Sequence, residues 1–395
     1  MKVAIIGGGA AGLFCAANLH FCDVTIFEST LRCGNKLLLT GGGRCNLTSL
    51  ERASEFLESV PHGSKFLMSC LFNFSPFDLV AWFEERGLKT KVENKRVFPE
   101  SDSSADVLNL LLLECSKNGT KIEYGKVVDK IKRTQNGFVV AGQTFDRVVV
   151  ATGGKSFSKT GSCGLGNVIA KHFGIKTQEF EPKLTPIFAK GTKPLMGLSA
   201  RVGLEAKHNG APEAKQTGDV VFTHFGISGP AALDLSSKIS GEPNTKIIVD
   251  FLPQLSEEQI KQKILEIRKT KTKAQSSNVV NQIVPERVAD QVLEALDLQT
   301  TKAADLSSLQ MEEIAYALKH KEFEFVSLGN FNNAWVSRGG IKTEEINPKS
   351  MESKTVPGLY FVGEAIDVDG LCGGFNLQIA FSTAFAAAQN IEAIK

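Results

Sequence analysis

The feature that most constrains this chain is its first 28 residues. An apolar run, Lys2–Ile6, is followed by Gly7, Gly8, Gly9, Ala10, Ala11 and Gly12, then by small residues to about His20 and a second apolar run, Asp23–Phe27, that closes on Glu28. Strand, glycine turn, helix and strand in that order predict a βαβ unit, and with it a parallel sheet covered by helices. Each glycine has a distinct expected task. Gly7 permits the tight turn, Gly9 lets main chain approach a pyrophosphate, and Gly12 allows the helix to pack closely on the strand. The helix would then start at Ala10 and Ala11 with its free amides facing the phosphates. Glu28, 16 residues beyond Gly12, is placed to accept hydrogen bonds from an adenosine ribose, and an acid there disfavours a 2′-phosphate. The fingerprint implies a dinucleotide but does not separate FAD from NAD, which share the adenosine and pyrophosphate half.

Later segments add to this frame. Residues 34–48 read GNKLLLTGGGRCNLT, in which Gly41, Gly42 and Gly43 would let main chain run flat against a planar ligand, while Arg44 and Asn46 offer donors to phosphate or ring carbonyls. Lys36 is a further cofactor-binding candidate in the same stretch, and Cys45 beside Arg44 is either an activated thiol or, as we favour, a packing residue against the cofactor. Between 121 and 151 four short β segments form a meander, with Val128 a cofactor-side candidate, and the last segment ends in Thr152, Gly153 and Gly154. Near the C-terminus, residues 360–362 predict a buried strand, Gly363 a close turn, and Glu364 an acid for a ribityl hydroxyl, with Asp367 as second candidate. Gly373, Gly374, Phe375 and Asn376 then precede a small-residue helix over 377–388, whose N-terminal amides would face the flavin N1 and C2 carbonyl and favour its reduced anion.

Taken together, these stretches resemble the HI0933-like (YhiN-type) family of FAD-dependent NAD(P)/FAD oxidoreductases. The resemblance rests on residues 34–48, on RVFPESDSSADVL at 96–108, on ATGGKSFSKTGSCGLG at 151–166, and above all on residues 339–382 with GLYFVGEAIDVDGLCGGFNLQ; FTHFGISGP at 222–230 is a lesser match. Ser158, Cys163, Leu165, Thr383 and Ala384 depart from the usual pattern. The resemblance implies bound FAD, an oxidoreductase activity on a small substrate, and a three-part layout. The expected fold is α/β: a Rossmann-type FAD-binding domain over 1–185 and 339–395, interrupted by an inserted α+β domain over 186–338 that covers the flavin, β-rich over 186–252 and helical over 255–320. Ser256 with Gln259 reads as a capping box, and Pro285 as a first helical residue.

Composition excludes several classes. Lys plus Arg exceeds Asp plus Glu by 45 − 43 = 2, so no large basic field advertises nucleic acid or a membrane surface. The eight cysteines have no metal-binding spacing and suit a reducing, cytoplasmic setting, and no metal site is expected. The apolar stretch at 107–113 falls far short of the roughly 20 residues that a bilayer needs. The expected chemistry is hydride transfer through flavin N5 on a small, rather apolar organic substrate, with NAD(P)H binding transiently as donor. His224 is the candidate proton shuttle, although a satisfied structural histidine is at least as good a reading, and Arg338 would anchor an acidic group or pair with a carboxylate. The alternatives are an FAD-dependent RNA-modifying enzyme and a non-catalytic flavin redox sensor. Nothing in the sequence fixes an oligomeric state.

Overall fold

The computed structural model describes residues 1–271 and 273–394. They form two compact units, one comprising Met1–Lys183 with the stretch from Phe331 onward, the other Leu184–Asn330, and each has its own apolar core.

The first unit is built on a five-stranded sheet in the order Leu359–Phe361, Arg147–Val150, Lys2–Ile6, Asp23–Phe27, Lys121–Glu123, with every pairing parallel. Val3, Ala4, Ile5, Val148, Val149, Val150, Leu359, Tyr360 and Phe361 are all fully buried, as both faces of a parallel sheet require. Helices Ala10–Ala17, Ser104–Lys117 and Phe375–Ala393 pack around this frame. The expected meander has five strands, not four. Lys121–Glu123 and Arg147–Val150 belong to the parallel sheet, while Ile131–Thr134, Gly137–Val140 and Gln143–Phe145 form a separate antiparallel sheet.

The chain rejoins the first unit at Phe331, earlier than the expected residue 339. Strand Val336–Ile341 pairs antiparallel with Thr177–Lys183, which the sequence reading missed. Gly339 makes that approach feasible, since a Cβ there would lie 2.4 Å from the Glu179 carbonyl oxygen; Gly340 faces the Ala365 carbonyl oxygen instead, which a Cβ would meet at 2.3 Å.

In the second unit the β-rich segment closes into a six-stranded antiparallel barrel of Ile187–Lys190, Gly226–Ser228, Ala211–Phe222, Ser199–His208, Thr245–Asp250 and Lys321–Leu328. The α-helices among the described residues here are Pro230–Ser236, Glu257–Thr270, Ser276–Val280, Glu286–Ala295 and Ser308–Lys319. The capping box forms as expected: Ser256 Oγ accepts from the Gln259 amide at 3.2 Å, and Gln259 Oε1 accepts from the Ser256 amide at 2.8 Å. Pro285 sits one residue before its helix, as the cap. Among the described residues no single helix is long and apolar enough to cross a membrane.

Candidate cofactor site

The first strand ends in a turn whose glycines are fixed by sterics. Gly7 has φ +107°, and a Cβ there would meet the Ala151 carbonyl oxygen at 2.5 Å; one on Gly12 would meet the Gly7 oxygen at 2.0 Å. Gly9, the residue before helix Ala10–Ala17, has no heavy atom within 4 Å of its Cβ position, so main chain is open to a ligand at that point. The first-turn amides at Ala10 and Ala11 lack helical partners by construction and present partial positive charge. Gly8, to which the sequence reading gave no role, is equally constrained: its amide donates to Glu28 Oε2 at 2.8 Å and its Cβ would strike Cys33 Sγ at 2.4 Å. Its signal was simply the third glycine in succession.

Glu28 is buried at the end of the second strand, and its Oε1 accepts from the amide and hydroxyl of Thr30 at 2.8 and 2.7 Å. Oε1 is saturated, taking Ser29 Oγ at 3.4 Å as well, whereas among the described residues Oε2 takes only the Gly8 amide and keeps a second lone pair for a ligand. Val128 is buried in the segment that follows Lys121–Glu123, which is tied to the Glu28 carbonyl by the Lys126 amide at 2.8 Å.

In the glycine-rich loop, Gly41, Gly42 and Gly43 have φ of +59°, +68° and +92°, with open space at the last two. Arg44 departs from its expected role. Two of its donors go to Asp102 Oδ1 at 2.7 Å and Glu93 Oε1 at 2.6 Å, and its guanidinium lies 4.1 Å from the Phe98 ring centre, so it fastens the loop. Cys45 is fully buried, and desolvation pushes its thiol up to about 12. Burial of this kind disfavours the thiolate. Asn46 Oδ1 is buried with no partner among the described residues.

Lys36 Nζ lies 2.6 Å from Glu364 Oε2 and 2.7 Å from Ser156 Oγ. Glu364 Oε1 also accepts from the Ser337 amide at 2.8 Å, so these two candidates are brought together but largely satisfy one another. Gly154 passes so close that a Cβ would be 2.6 Å from Glu364 Oε1. Gly153 has φ +67°, and Thr152 Oγ1 is buried and without a partner. Gly363, at φ +66°, donates its amide to Thr383 Oγ1 at 2.9 Å, and its Cβ would stand 3.0 Å from Ala11 Cβ. The C-terminal part of the chain thus reaches the first helix, and Thr383, a departure from the family pattern, holds the turn.

Asp367 Oδ1 accepts from the Gly339 amide at 3.0 Å. Gly373 and Gly374, at φ +151° and +96°, lead into a helix that begins at Phe375, two residues earlier than expected. Phe375 packs edge-on against Phe56, ring centres 4.9 Å apart. Asn376 folds back, accepting from the Gly370 amide at 2.9 Å and donating to its carbonyl at 2.8 Å. Arg338 makes a two-pronged pair with Asp369 at 2.7 and 3.1 Å, the structural alternative foreseen for it. His224 is exposed in the turn between barrel strands Ala211–Phe222 and Gly226–Ser228 of the second unit, 5.1 Å edge-on to Phe225.

The fit to FAD rests on specific features of the first unit: open main chain at Gly9, Gly42 and Gly43, an acid fixed beside the turn, and unpartnered buried oxygens at Asn46 and Thr152. Comparison with known proteins agrees. The HI0933-like protein Rossmann domain family matches residues 1–390. A ribosomal RNA dihydrouridine synthase of Haemophilus influenzae is 30% identical over 399 residues, covering 98% of each chain. A 3-dehydro-bile acid delta(4,6)-reductase of Clostridium scindens is 32% identical over 409 residues, again covering 98% of each. Among solved structures, 3-ketosteroid delta1-dehydrogenase of Sterolibacterium denitrificans shares the fold at TM-score 0.52 and 13% identity, over 100% of this chain and 99% of that one.

Proposed function

The chain belongs to the HI0933-like family as an FAD-dependent oxidoreductase on that family's Rossmann domain, and we propose that it reduces a carbon–carbon double bond conjugated to a carbonyl in a small, rather apolar substrate, with NAD(P)H as transient donor. The observation that carries this reading is the convergence of residues 7–12, Glu28, 152–154 and Gly363 just beyond the carboxyl ends of four parallel strands, where doubly wound folds bind nucleotides. In this reading the amides at Ala10, Ala11 and Gly12 hold the pyrophosphate, Glu28 the ribose, and Val128 flanks the adenosine. Gly42, Gly43, Asn46, Thr152 and Gly153 line the flavin, and Lys36, Glu364 and Asp367 brace the main chain around it.

FAD, when bound, supplies the hydride at N5. The chain's task is to bind, orient and protonate. The 19-residue helix Phe375–Ala393 offers its positive end through Gly373 and Gly374, which favours negative charge at the flavin C2 carbonyl. The choice of reaction is supported by what the two relatives have in common. Dihydrouridine is uridine with two hydrogens added across a ring double bond, and a delta(4,6)-reductase adds hydrogen across carbon–carbon double bonds. Both alkenes are polarised by a carbonyl, so hydride enters one carbon and a proton the other.

A small substrate is supported by charge. The net charge is +2, and several surface lysines are engaged by acids: Lys190 with Glu324, Lys246 with Glu322, Lys261 with Glu312. The test is anaerobic: NADH or NADPH should bleach the flavin, and a 4-ene-3-keto steroid should then restore its colour. Bleached flavin that no conjugated alkene reoxidises rules the reading out. The second reading, reduction of uridine in RNA, is favoured by the 30% identity to the rRNA enzyme along nearly the whole chain. It predicts that a ribosomal RNA transcript, and no small enone, reoxidises the flavin, with binding that weakens steeply in salt.

A further inference from the structure

Residues 59–63, between helices Ala53–Glu58 and Ser64–Asn73, are clamped onto the segment 367–371 that leads to Gly373 and Gly374. The Asp369 amide donates to the His62 carbonyl at 3.3 Å and the Leu371 amide to that of Ser59 at 2.9 Å. Gly63, at φ +80°, lies so flat on this segment that a Cβ would be 2.3 Å from Val368 Cγ1. The side chain joins the clamp as well. His62 Nε2 is 3.1 Å from Asp367 Oδ1, whose side chain is 12% exposed and is already fixed by the Gly339 amide.

From this geometry we infer that His62 is the proton donor of the reaction, oriented by Asp367. The inference rests on the reaction proposed above. Asp367 is the acid paired with the imidazole; beside it Arg338 pairs with Asp369 and also feels the Asp367 charge. With Nε2 engaged in the ion pair with Asp367, Nδ1 takes no hydrogen bond from any described residue and is the nitrogen free to serve a substrate. The side chain is 43% exposed, so the ring can be recharged from water.

No other histidine has this setting among the described residues. His20, His172 and His208 contact amide, carbonyl or hydroxyl groups, His320 pairs with an exposed acid, and His224 rests on Phe225. Only His62 is held by a buried carboxylate, on a segment that runs into the helix end assigned to the flavin.

The step balances as follows. Hydride reaches the alkene carbon remote from the carbonyl, and the alkene electron pair shifts to give an enolate. The Nδ1–H bond of the imidazolium breaks, its electrons stay on the ring, and the proton forms a C–H bond with the enolate pair. Water then reprotonates the neutral ring.

The decisive experiment uses the FAD-loaded protein, reduced with dithionite and mixed anaerobically with a 4-ene-3-keto steroid. His62→Gln should keep its FAD, measured by absorbance, yet reoxidise about 100-fold or more slowly than the wild type, the usual scale for loss of a general acid. Asp367→Asn should slow the same step less. Nitrogen-15 NMR of the unsubstituted protein should show neutral His62 as the Nε2–H tautomer. An Nδ1–H tautomer, or a His62→Gln protein that reoxidises at the wild-type rate, overturns the inference while leaving the reaction standing. A wild type that reduces no conjugated alkene removes the reaction, and the inference with it.

Discussion

The parallel sheet of the first unit and the barrel of the second solve the burial problem in opposite ways. In the sheet, consecutive residues such as Val148, Val149 and Val150 are all buried, because helices cover both faces. In barrel strand Ser199–His208, Val202, Leu204 and Ala206 are buried, while Arg201, Gly203 and Glu205 between them are not. The sheet therefore spends its sequence on uninterrupted apolar runs with glycines at their ends, where backbone must come within van der Waals reach of backbone or ligand. The barrel needs only alternation and closure, and tolerates charge on every outer position. A second contrast follows the same division: all eight cysteines lie in the first unit and none between 184 and 330.

The sharpest way to break this comparison is Gly9→Asp. Its Cβ position is open, so the fold should survive, but a carboxylate there would meet the pyrophosphate. We expect complete loss of flavin absorbance with an unchanged far-UV circular dichroism spectrum; stoichiometric FAD in that variant would sink the phosphate-turn assignment. Next in size is Arg338→Ala, which strands the Asp369 carboxylate, 2% exposed, without its partner. Removing one member of such a pair costs about 3 kcal/mol or more. Chemical denaturation should show that loss in the first unit, and a change under 1 kcal/mol would mean that water replaces the guanidinium readily.

In the barrel, Leu204→Ala empties a site that is 2% exposed and should cost about 3 kcal/mol. Hydrogen exchange should localise that loss to the second unit. If FAD were released in parallel, the two units would not be energetically separate. The smallest effect is alkaline. Burial raises the thiols of Cys45, Cys70 and Cys115 from an ordinary 9.0 to about 12. A raised value means that the folded state favours the protonated thiol, so this contribution is intact below about pH 9 and is lost as pH climbs toward 12. Unfolding midpoints of the first unit should fall across that window through these groups, with no thiol contribution in the second. Iodoacetamide at pH 8 should label exposed Cys163 ahead of Cys45. Fast reaction at Cys45 would contradict its burial.

Legibility in the sequence followed the same contrast. Lys2–Ile6, Asp23–Phe27 and the Ser256 capping box were readable because each is a local pattern with a local cause. The barrel's closure was not, since pairing Ile187–Lys190 with Lys321–Leu328 joins segments far apart in the chain and leaves no mark in either one. Strand Thr177–Lys183 was invisible for a related reason: TQEFEPK has no apolar run, and its partner is distant. Arg44 illustrates the limit at the level of one side chain. Its position beside three glycines was clear, but Glu93 and Asp102, which take two of its donors, come from elsewhere in the sequence. His62 drew no attention because a lone histidine after a proline carries no pattern, and Asp367 becomes its partner only through folding.

The sequence by itself determined the βαβ start, the glycine positions and the acid at Glu28, since backbone conformation and close approach are dictated residue by residue. Only the tertiary structure decided which charges are spent on one another, as with Lys36 and Glu364, and which polar atoms, such as Thr152 Oγ1, are left for a ligand. The reason is physical: φ, ψ and burial periodicity are local quantities, whereas the partner of a long polar side chain is chosen by whatever the fold brings within about 3 Å of it.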